Sequence, residues 1–285
     1  MARAVSTAIG IHQWLRRVIG PVVGRLLFRF YRKSQGPQLV NGYRMQLSTG
    51  NAYPPLDMLA GSFESETTQL IMSLVQPGSF VIDIGAHVGY YTLISAGLAG
   101  ANGKVLAFEP DPINHSLLLG NIALNGFQNI TVVNKAVSDR TGAGILFQTK
   151  LDSGRHSTYQ HDIPLAGTVD IETVSLDEIL KEEGNPKVDL IKIDVEGAEL
   201  DVWRGMGQLL ANDDAPKIII EYHPMLLQGA GVDAVQFARQ IFSEGFNIQI
   251  VDENIGLKAL EESEIQDLAD RLLEQQISVN LFCVK

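Results

Sequence analysis

A carboxylate ending an apolar run, a glycine turn, and a second carboxylate after the next apolar run are groups that can hold a nucleoside. In Val81-Ile-Asp-Ile-Gly-Ala-His-Val-Gly-Tyr-Tyr-Thr92 the apolar run reaches Asp83. Gly85 lets the chain turn sharply, and Gly89 permits close approach inside the first turn of a helix. Glu109 closes the following apolar run, 20 residues after Gly89, where a carboxylate accepts hydrogen bonds from two ribose hydroxyls. Asp83 stands where the dinucleotide fingerprint has its first glycine. An acid there opposes pyrophosphate, because like charges would meet, and suits a ligand carrying an ammonium group. S-adenosylmethionine offers that combination: a ribose, an adenine and an amino-acid tail, with no phosphate.

A second set of ionisable residues follows. Asp194 ends Leu190-Ile-Lys-Ile-Asp194 and is expected to point into the cleft at the carboxyl end of a strand, where open α/β sheets bind ligands. Glu196 is expected to cap the next helix and Glu199 to lie on it, positions that the helix dipole alone also favours for acids. Lys192, two residues before Asp194, shares its face of the strand. It either pairs with the carboxylates or approaches a substrate hydroxyl. A further apolar run ends Glu221-Tyr-His-Pro224. General-base work needs a proton acceptor of near-neutral pKa, a role His223 can fill. Glu221 is either that acceptor or the group that orients His223. The competing reading of His223 is a His-Pro turn before a helix. His156 and His161 lie in a polar loop expected to cover the site and are secondary candidates. Acids beside a cleft can hold Mg²⁺. No second ligand segment accompanies Asp194, Glu196 and Glu199, so no metal is expected.

These residues need strands and helices in alternation to bring them together. Apolar runs predict strands at 80–84, 104–109, 130–133, 190–194, 217–221, 246–251 and 278–284. Helical patterns lie at 64–75, 87–98, 112–125, through Leu200 and Trp203, and near 232–243. Asn41-Gly42 predicts a short hairpin between 39–40 and 43–47. The result is an α/β sandwich with a largely parallel sheet. The stretch between the third and fourth strands, from Asn134 to Asp189, is expected to form extra strands or a loop over the carboxyl edge.

The chain has 285 residues, 45% hydrophobic and 19% charged, enough to bury a core, which excludes a disordered or collagen-like chain. A single cysteine, Cys283, excludes a disulfide framework and a cysteine-built metal site. A net charge of −11 argues against a general nucleic-acid binder. The charge is uneven, because residues 1–33 hold seven basic side chains and none of the 33 acidic ones. On a helical wheel Ile11, Trp14, Leu15, Val18 and Ile19 share one face. Val22, Val23, Leu26, Leu27 and Phe30 share another beyond Gly20-Pro21. An apolar face opposed by arginines suits a helix lying in an anionic lipid interface. A helix packed on the body or a targeting segment are the alternatives. The expected organisation is a basic arm over 1–36 and one domain over 37–285, with a lead-in and first helix over 37–78 and the core over 79–285. The expected location is cytoplasmic, with attachment to a membrane surface and organelle targeting both left open by the arm.

The glycine loop, Ala107-Phe-Glu-Pro-Asp-Pro112, Asn134-Lys-Ala-Val-Ser-Asp139, Thr173-Val-Ser-Leu-Asp-Glu178 and Asp189-Leu-Ile-Lys-Ile-Asp-Val-Glu-Gly-Ala-Glu199 together resemble the FkbM family of class I S-adenosylmethionine-dependent methyltransferases. The closing Asn280-Leu-Phe-Cys-Val284 is similar to that family's final strand. His87 stands where many members have Asn. The resemblance implies a Rossmann-like sandwich with a mostly parallel seven-stranded sheet whose last strand is antiparallel. It implies S-adenosyl-L-methionine as cofactor, held by Asp83, Gly85, Ala86, His87, Gly89, Thr92, Glu109, Ala136, Val137 and Asp194. It implies an O-methyltransferase acting on a sugar, glycolipid or small metabolite. The residues alone leave two rivals, an NAD-dependent oxidoreductase and a non-catalytic cofactor-binding assembly protein at a membrane surface.

Overall fold

The computed structural model describes residues 36–47, 57–58, 62–150, 153–212, 214–253 and 255–285. The expected amphipathic helices of residues 11–33 lie outside the described residues. The strands are β1 (Gln38–Val40), β2 (Tyr43–Met45), β3 (Phe80–Ile84), β4 (Lys104–Phe108), β5 (Ile130–Val133), β6 (Ala136–Val137), β7 (Gly142–Thr149), β8 (Leu165–Val174), β9 (Leu190–Ile193), β10 (Lys217–Tyr222), β11 (Asn247–Asp252), β12 (Gly256–Leu260) and β13 (Val279–Val284). The helices are α1 (Ser65–Leu74), α2 (Tyr90–Ala99), α3 (Pro112–Asn125), α4 (Leu176–Glu182), α5 (Glu199–Arg204), α6 (Gly207–Leu210), α7 (Pro224–Gly229), α8 (Ala234–Ser243) and α9 (Ile265–Gln275).

The main sheet runs β12-β11-β13-β10-β9-β3-β4-β5. Strands β10, β9, β3, β4 and β5 are parallel, and β13 is antiparallel to both its neighbours. The seven expected strands are all in this sheet, with the antiparallel last strand inserted between β10 and β11. Strand β12 adds an eighth at the edge. Its three central residues are all exposed, so it carries no apolar alternation to read. Helices α4 and α9 also go beyond the sequence expectation.

Strands β3, β9 and β10 are covered on both faces and therefore read as continuous apolar runs. One face packs Ile82, Ile191, Ile193, Ile220, Trp203 and Phe237 together. The other packs Val81, Leu190, Ile219 and Phe282 against Ile71 of α1 and Leu93 and Ile94 of α2. The winding reverses beside β3, since β4 and β5 follow on one side and β9 and β10 on the other. A crevice outside the carboxyl ends is the consequence.

The expected hairpin is present, with Val40 opposite Tyr43 and left-handed backbone at Asn41 and Gly42. The connection between β5 and β9 forms its own three-stranded sheet, ordered β6-β8-β7. A helix expected from His87 begins instead at Tyr90. His87 has φ 49° and Gly89 φ 94°, so the chain makes a left-handed turn before it can become helical.

Candidate active site

Two cavities meet at the carboxyl ends of the strands. The first is walled by Glu109, Ala136 and Val137. The second is walled by Glu64, Asp83, Lys192 and Glu221. Gly85, His87, Gly154 and Asp194 belong to both walls and form the waist between them.

Backbone builds the first cavity. Gly85 has φ 83°, and a Cβ there would sit 1.8 Å from the Asp194 carbonyl oxygen. The Asp194 amide in turn donates to the Ile84 carbonyl at 3.0 Å, so the ends of β3 and β9 touch backbone to backbone. The left-handed turn aims the His87 amide at Glu109 Oε2, at 2.8 Å, while the Asp111 amide donates to Oε1 at 2.9 Å. These bonds fix the carboxylate. Burial nevertheless dominates and raises Glu109 to about 7. Apolar cover comes from Phe108, Ala136, Val137 and Leu146.

Side chains build the second cavity. Period-two alternation places Asp83, Lys192, Asp194, Glu221 and Asn280 on one sheet face, that covered by α1 and α2. Asp83 lies beside Lys192 on neighbouring strands, and Glu221 lies opposite Asn280. Lys192 is 1% exposed, with its ammonium 3.2 Å from Asp194 Oδ2 and 5.6 Å from the centre of the Tyr91 ring. Burial opposes that charge, but Asp194, Glu64 and Glu221 outweigh it and hold the ammonium at about 12. Burial raises Asp83 to about 6, against the hydrogen bond from Thr92 and the charge of Lys192. It also raises Glu64, and it raises Glu221 strongly with repulsion from Asp194, Glu196 and Glu199 added. Burial thus disfavours the charged forms along this acidic wall. Tyr91 Oη and Asn280 Nδ2 donate to Glu64 Oε2 at 2.7 and 2.9 Å, and Ser278 Oγ donates to Glu221 Oε1 at 2.7 Å.

The turn after β9 corrects one expectation. Ala198, not Glu196, is the N-cap of α5, and no side chain caps it. Glu196 has φ 53° and Gly197 φ 104°, which folds the acid back towards the cavity. Glu199 is fully buried, accepts from the Gly197 amide at 3.0 Å, and is raised by burial to about 7. Its work is to hold this turn.

A strap from the β7–β8 connection crosses the waist. Ser153 Oγ lies 2.8 Å from His87 Nε2, and Asn114 Nδ2 donates to the Ser153 carbonyl at 3.0 Å. Ser157 Oγ donates to the Glu196 carbonyl at 2.7 Å, and His161 Nε2 lies 2.8 Å from the same oxygen. His156 Nδ1 accepts from the Thr149 amide at 3.1 Å. These two histidines thus anchor the strap.

Of the sequence-predicted residues, Asp83, Gly85, Ala86, His87, Glu109, Ala136, Val137, Lys192, Asp194 and Glu221 line one or both cavities. Gly89 packs against Leu118 as the N-cap of α2, and Thr92 supports Asp83 from behind. His223 is the correction: it lines neither cavity. Alternation would put it on the face of Glu221, but the chain leaves β10 after Tyr222 and His223 becomes the N-cap of α7. It is buried near Arg155 and His161, and burial lowers its imidazole first, with those two groups adding to the effect. Asp194, Glu196 and Glu221 can each bring one oxygen within 4.8 Å of the others, a set that differs from the expected acidic trio. The Lys192 ammonium already lies 3.2 Å from the Asp194 member of that set and feels the charge of Glu221. Glu64, Tyr91, Arg155 and Asn280 were not legible as site residues. Asn280 alone gave a signal, as a polar residue inside an apolar strand.

The sheet order, the glycine turn and the carboxylate after β4 define a Rossmann-like class I methyltransferase fold. The sequence pattern of the methyltransferase FkbM domain matches residues 83–248, more than half of the chain, and the chain belongs to that family. The family is one of methyltransferases, which overturns the NAD-dependent oxidoreductase alternative. "Methyltransferase sdnD" of Sordaria araneosa is 28% identical over 158 residues, covering 45% of this chain and 61% of that protein. "Hexuronic acid methyltransferase AglP" of Haloferax volcanii is 25% identical over 191 residues, covering 67% of this chain and 73% of that protein. Among solved structures, a precorrin-6y C5,15-methyltransferase from Geobacter metallireducens aligns with a TM-score of 0.43 at 12% identity, covering 77% of this chain and 89% of that one. That alignment is too loose to add to the sheet order. Among the described residues, no helix is long and apolar enough to cross a membrane.

Proposed function

We propose that this protein transfers a methyl group from S-adenosylmethionine to a hydroxyl of a sugar, glycolipid or related small metabolite. The observation that carries this reading is the position of Asp194, the acid common to the walls of both cavities. The residues fit the cofactor. Glu109 is fixed to receive the ribose hydroxyls, Ala136 and Val137 offer an apolar wall for adenine, and Asp83 and Glu64 offer carboxylates for the ammonium group. The glycine cradle at Gly85 leaves no room for a side chain. When bound, S-adenosylmethionine supplies an electrophilic methyl on a sulfonium.

The chain's own part is to orient and to move a proton. Asp194, at the waist, accepts the hydrogen bond of the acceptor hydroxyl and takes its proton as the oxygen becomes nucleophilic. Lys192 holds Asp194 in place and offsets the developing negative charge. Glu221, raised by burial, faces the second cavity and can hydrogen-bond a second acceptor oxygen. Alignment of the reactants accounts for about 7–11 kcal/mol of the barrier, and general-base help for about 10²–10⁴-fold in rate. The sugar acceptor is supported by the name of the Haloferax relative, and residues 11–33 suit delivery to an anionic membrane surface.

The test is incubation with methyl-labelled S-adenosylmethionine and fractionated saccharide, lipid and small-molecule extracts. Label that enters saccharide or lipid-linked saccharide and survives mild base is an ether and supports the reading. Label released by mild base is an ester and moves the reaction to a carboxyl group. Sedimentation with anionic vesicles at low salt checks the membrane part.

A further inference from the structure

The strap places on the second cavity one cation that no described residue pairs with. Arg155 ends the short Ser153–Arg155 turn and lines the wall shared with Glu64, Lys192, Glu196 and Glu221. Its side chain makes no ion pair or hydrogen bond among the described residues. The other charged groups there are engaged: Asp83 with Thr92, Glu64 with Tyr91 and Asn280, Lys192 with Asp194, and Glu221 with Ser278. A guanidinium presents a planar fork of donors that matches a carboxylate with two parallel hydrogen bonds.

Resting on the methyltransferase reading above, we propose that Arg155 anchors the methyl acceptor by a carboxylate, so that the acceptor is a hydroxylated acid of the uronic type. Arg155 lies towards β10, because its charge is felt at His223, whereas the ribose carboxylate Glu109 is on the far side of the waist. Gly154, next to it, is on both walls, so the strap delivers the guanidinium just past the crossing point. An acceptor gripped there by its carboxylate spans from Arg155 to Asp194 and presents a hydroxyl at the waist. The acidic wall does not forbid an anion, since burial raises Glu64 and Glu221 and so disfavours their charged forms, and the Lys192 ammonium stands beside Asp194. The rings of Phe63, Tyr90 and Tyr91 on the same wall offer an apolar bed for a sugar face.

The experiment is calorimetric titration of D-glucuronate and of D-glucose into protein saturated with S-adenosylhomocysteine. The parent protein should bind glucuronate about tenfold or more tightly than glucose, the scale of a charge-assisted hydrogen bond. Arg155→Gln should abolish that preference while leaving S-adenosylhomocysteine affinity and the melting temperature unchanged, and Arg155→Lys should restore part of it. A parent protein without the preference, or an Arg155→Gln protein that keeps it, overturns the proposal. Weaker S-adenosylhomocysteine binding in Arg155→Gln, with unchanged binding of methylthioadenosine, also overturns it and assigns the guanidinium to the cofactor's own carboxylate. Failure of the parent protein to bind S-adenosylhomocysteine at all is a different result and rejects the methyltransferase reading itself.

Discussion

The two cavities are built by different means. In the first, the contacts that matter are main-chain: the His87 and Asp111 amides on Glu109, and Gly85 against the Asp194 carbonyl. In the second they are side-chain contacts drawn from five segments, reaching from Glu64 to Asn280, 216 residues apart. A main-chain site tolerates drift in its surroundings and suits a ligand that never changes. A side-chain site can be rewritten one residue at a time and suits a ligand that does.

The largest effect should come where the two constructions touch. Gly85→Ala forces a methyl group into the Asp194 carbonyl at a positive φ, so β3 and β9 must part. Chemical denaturation should show a loss of more than about 4 kcal/mol, the range reserved for such collisions. A stable Gly85→Ala protein would mean that the waist yields.

Next, Asp194→Asn should cut turnover about 10²–10⁴-fold while S-adenosylhomocysteine affinity stays within about threefold, since the amide still meets Lys192 but takes no proton. Titration calorimetry and single-turnover rates measure the two quantities separately. Equal losses in both would merge the cavities into one functional unit.

Glu109→Ala should do the converse. Cofactor affinity should fall by about 1.5–3 kcal/mol, with turnover at saturation little changed. The smallest effect is one of pH. The ribose hydroxyls need an ionised acceptor, and Glu109 sits at about 7 in the free protein. Ligand binding therefore takes up the ionised form, releases a proton below pH 7, and should weaken about tenfold per pH unit beneath it. Asp83, at about 6, adds a second step at lower pH. Titrations in two buffers of different ionisation enthalpy count the proton, and Glu109→Ala should remove the upper step.

The same contrast explains what could be read in advance. Asp83, Gly85 and Glu109 fall within one strand–helix–strand unit, so spacing along the chain is close to arrangement in space. The main sheet was legible for a similar reason, because doubly covered strands announce themselves as apolar runs. Glu64 and Arg155 carry no local pattern and acquire their roles only when distant segments meet. His223 shows the limit from the other side: alternation is sound within β10 but stops where α7 begins. Glu196 fails as a cap because two left-handed residues intervene, a backbone choice that its residue type does not declare.

The strap that carries Arg155 also has consequences on an evolutionary scale. It leaves and re-enters the small sheet at one place, where the Lys150 amide donates to the Pro164 carbonyl at 3.0 Å. A loop whose ends are joined in this way can be lengthened, shortened or exchanged at a cost that grows only slowly with its length. Lineages could therefore replace the segment between those two residues as a cassette and inherit a new acceptor preference, while the strands beneath and the turn at Gly85 pass unchanged from ancestor to descendant.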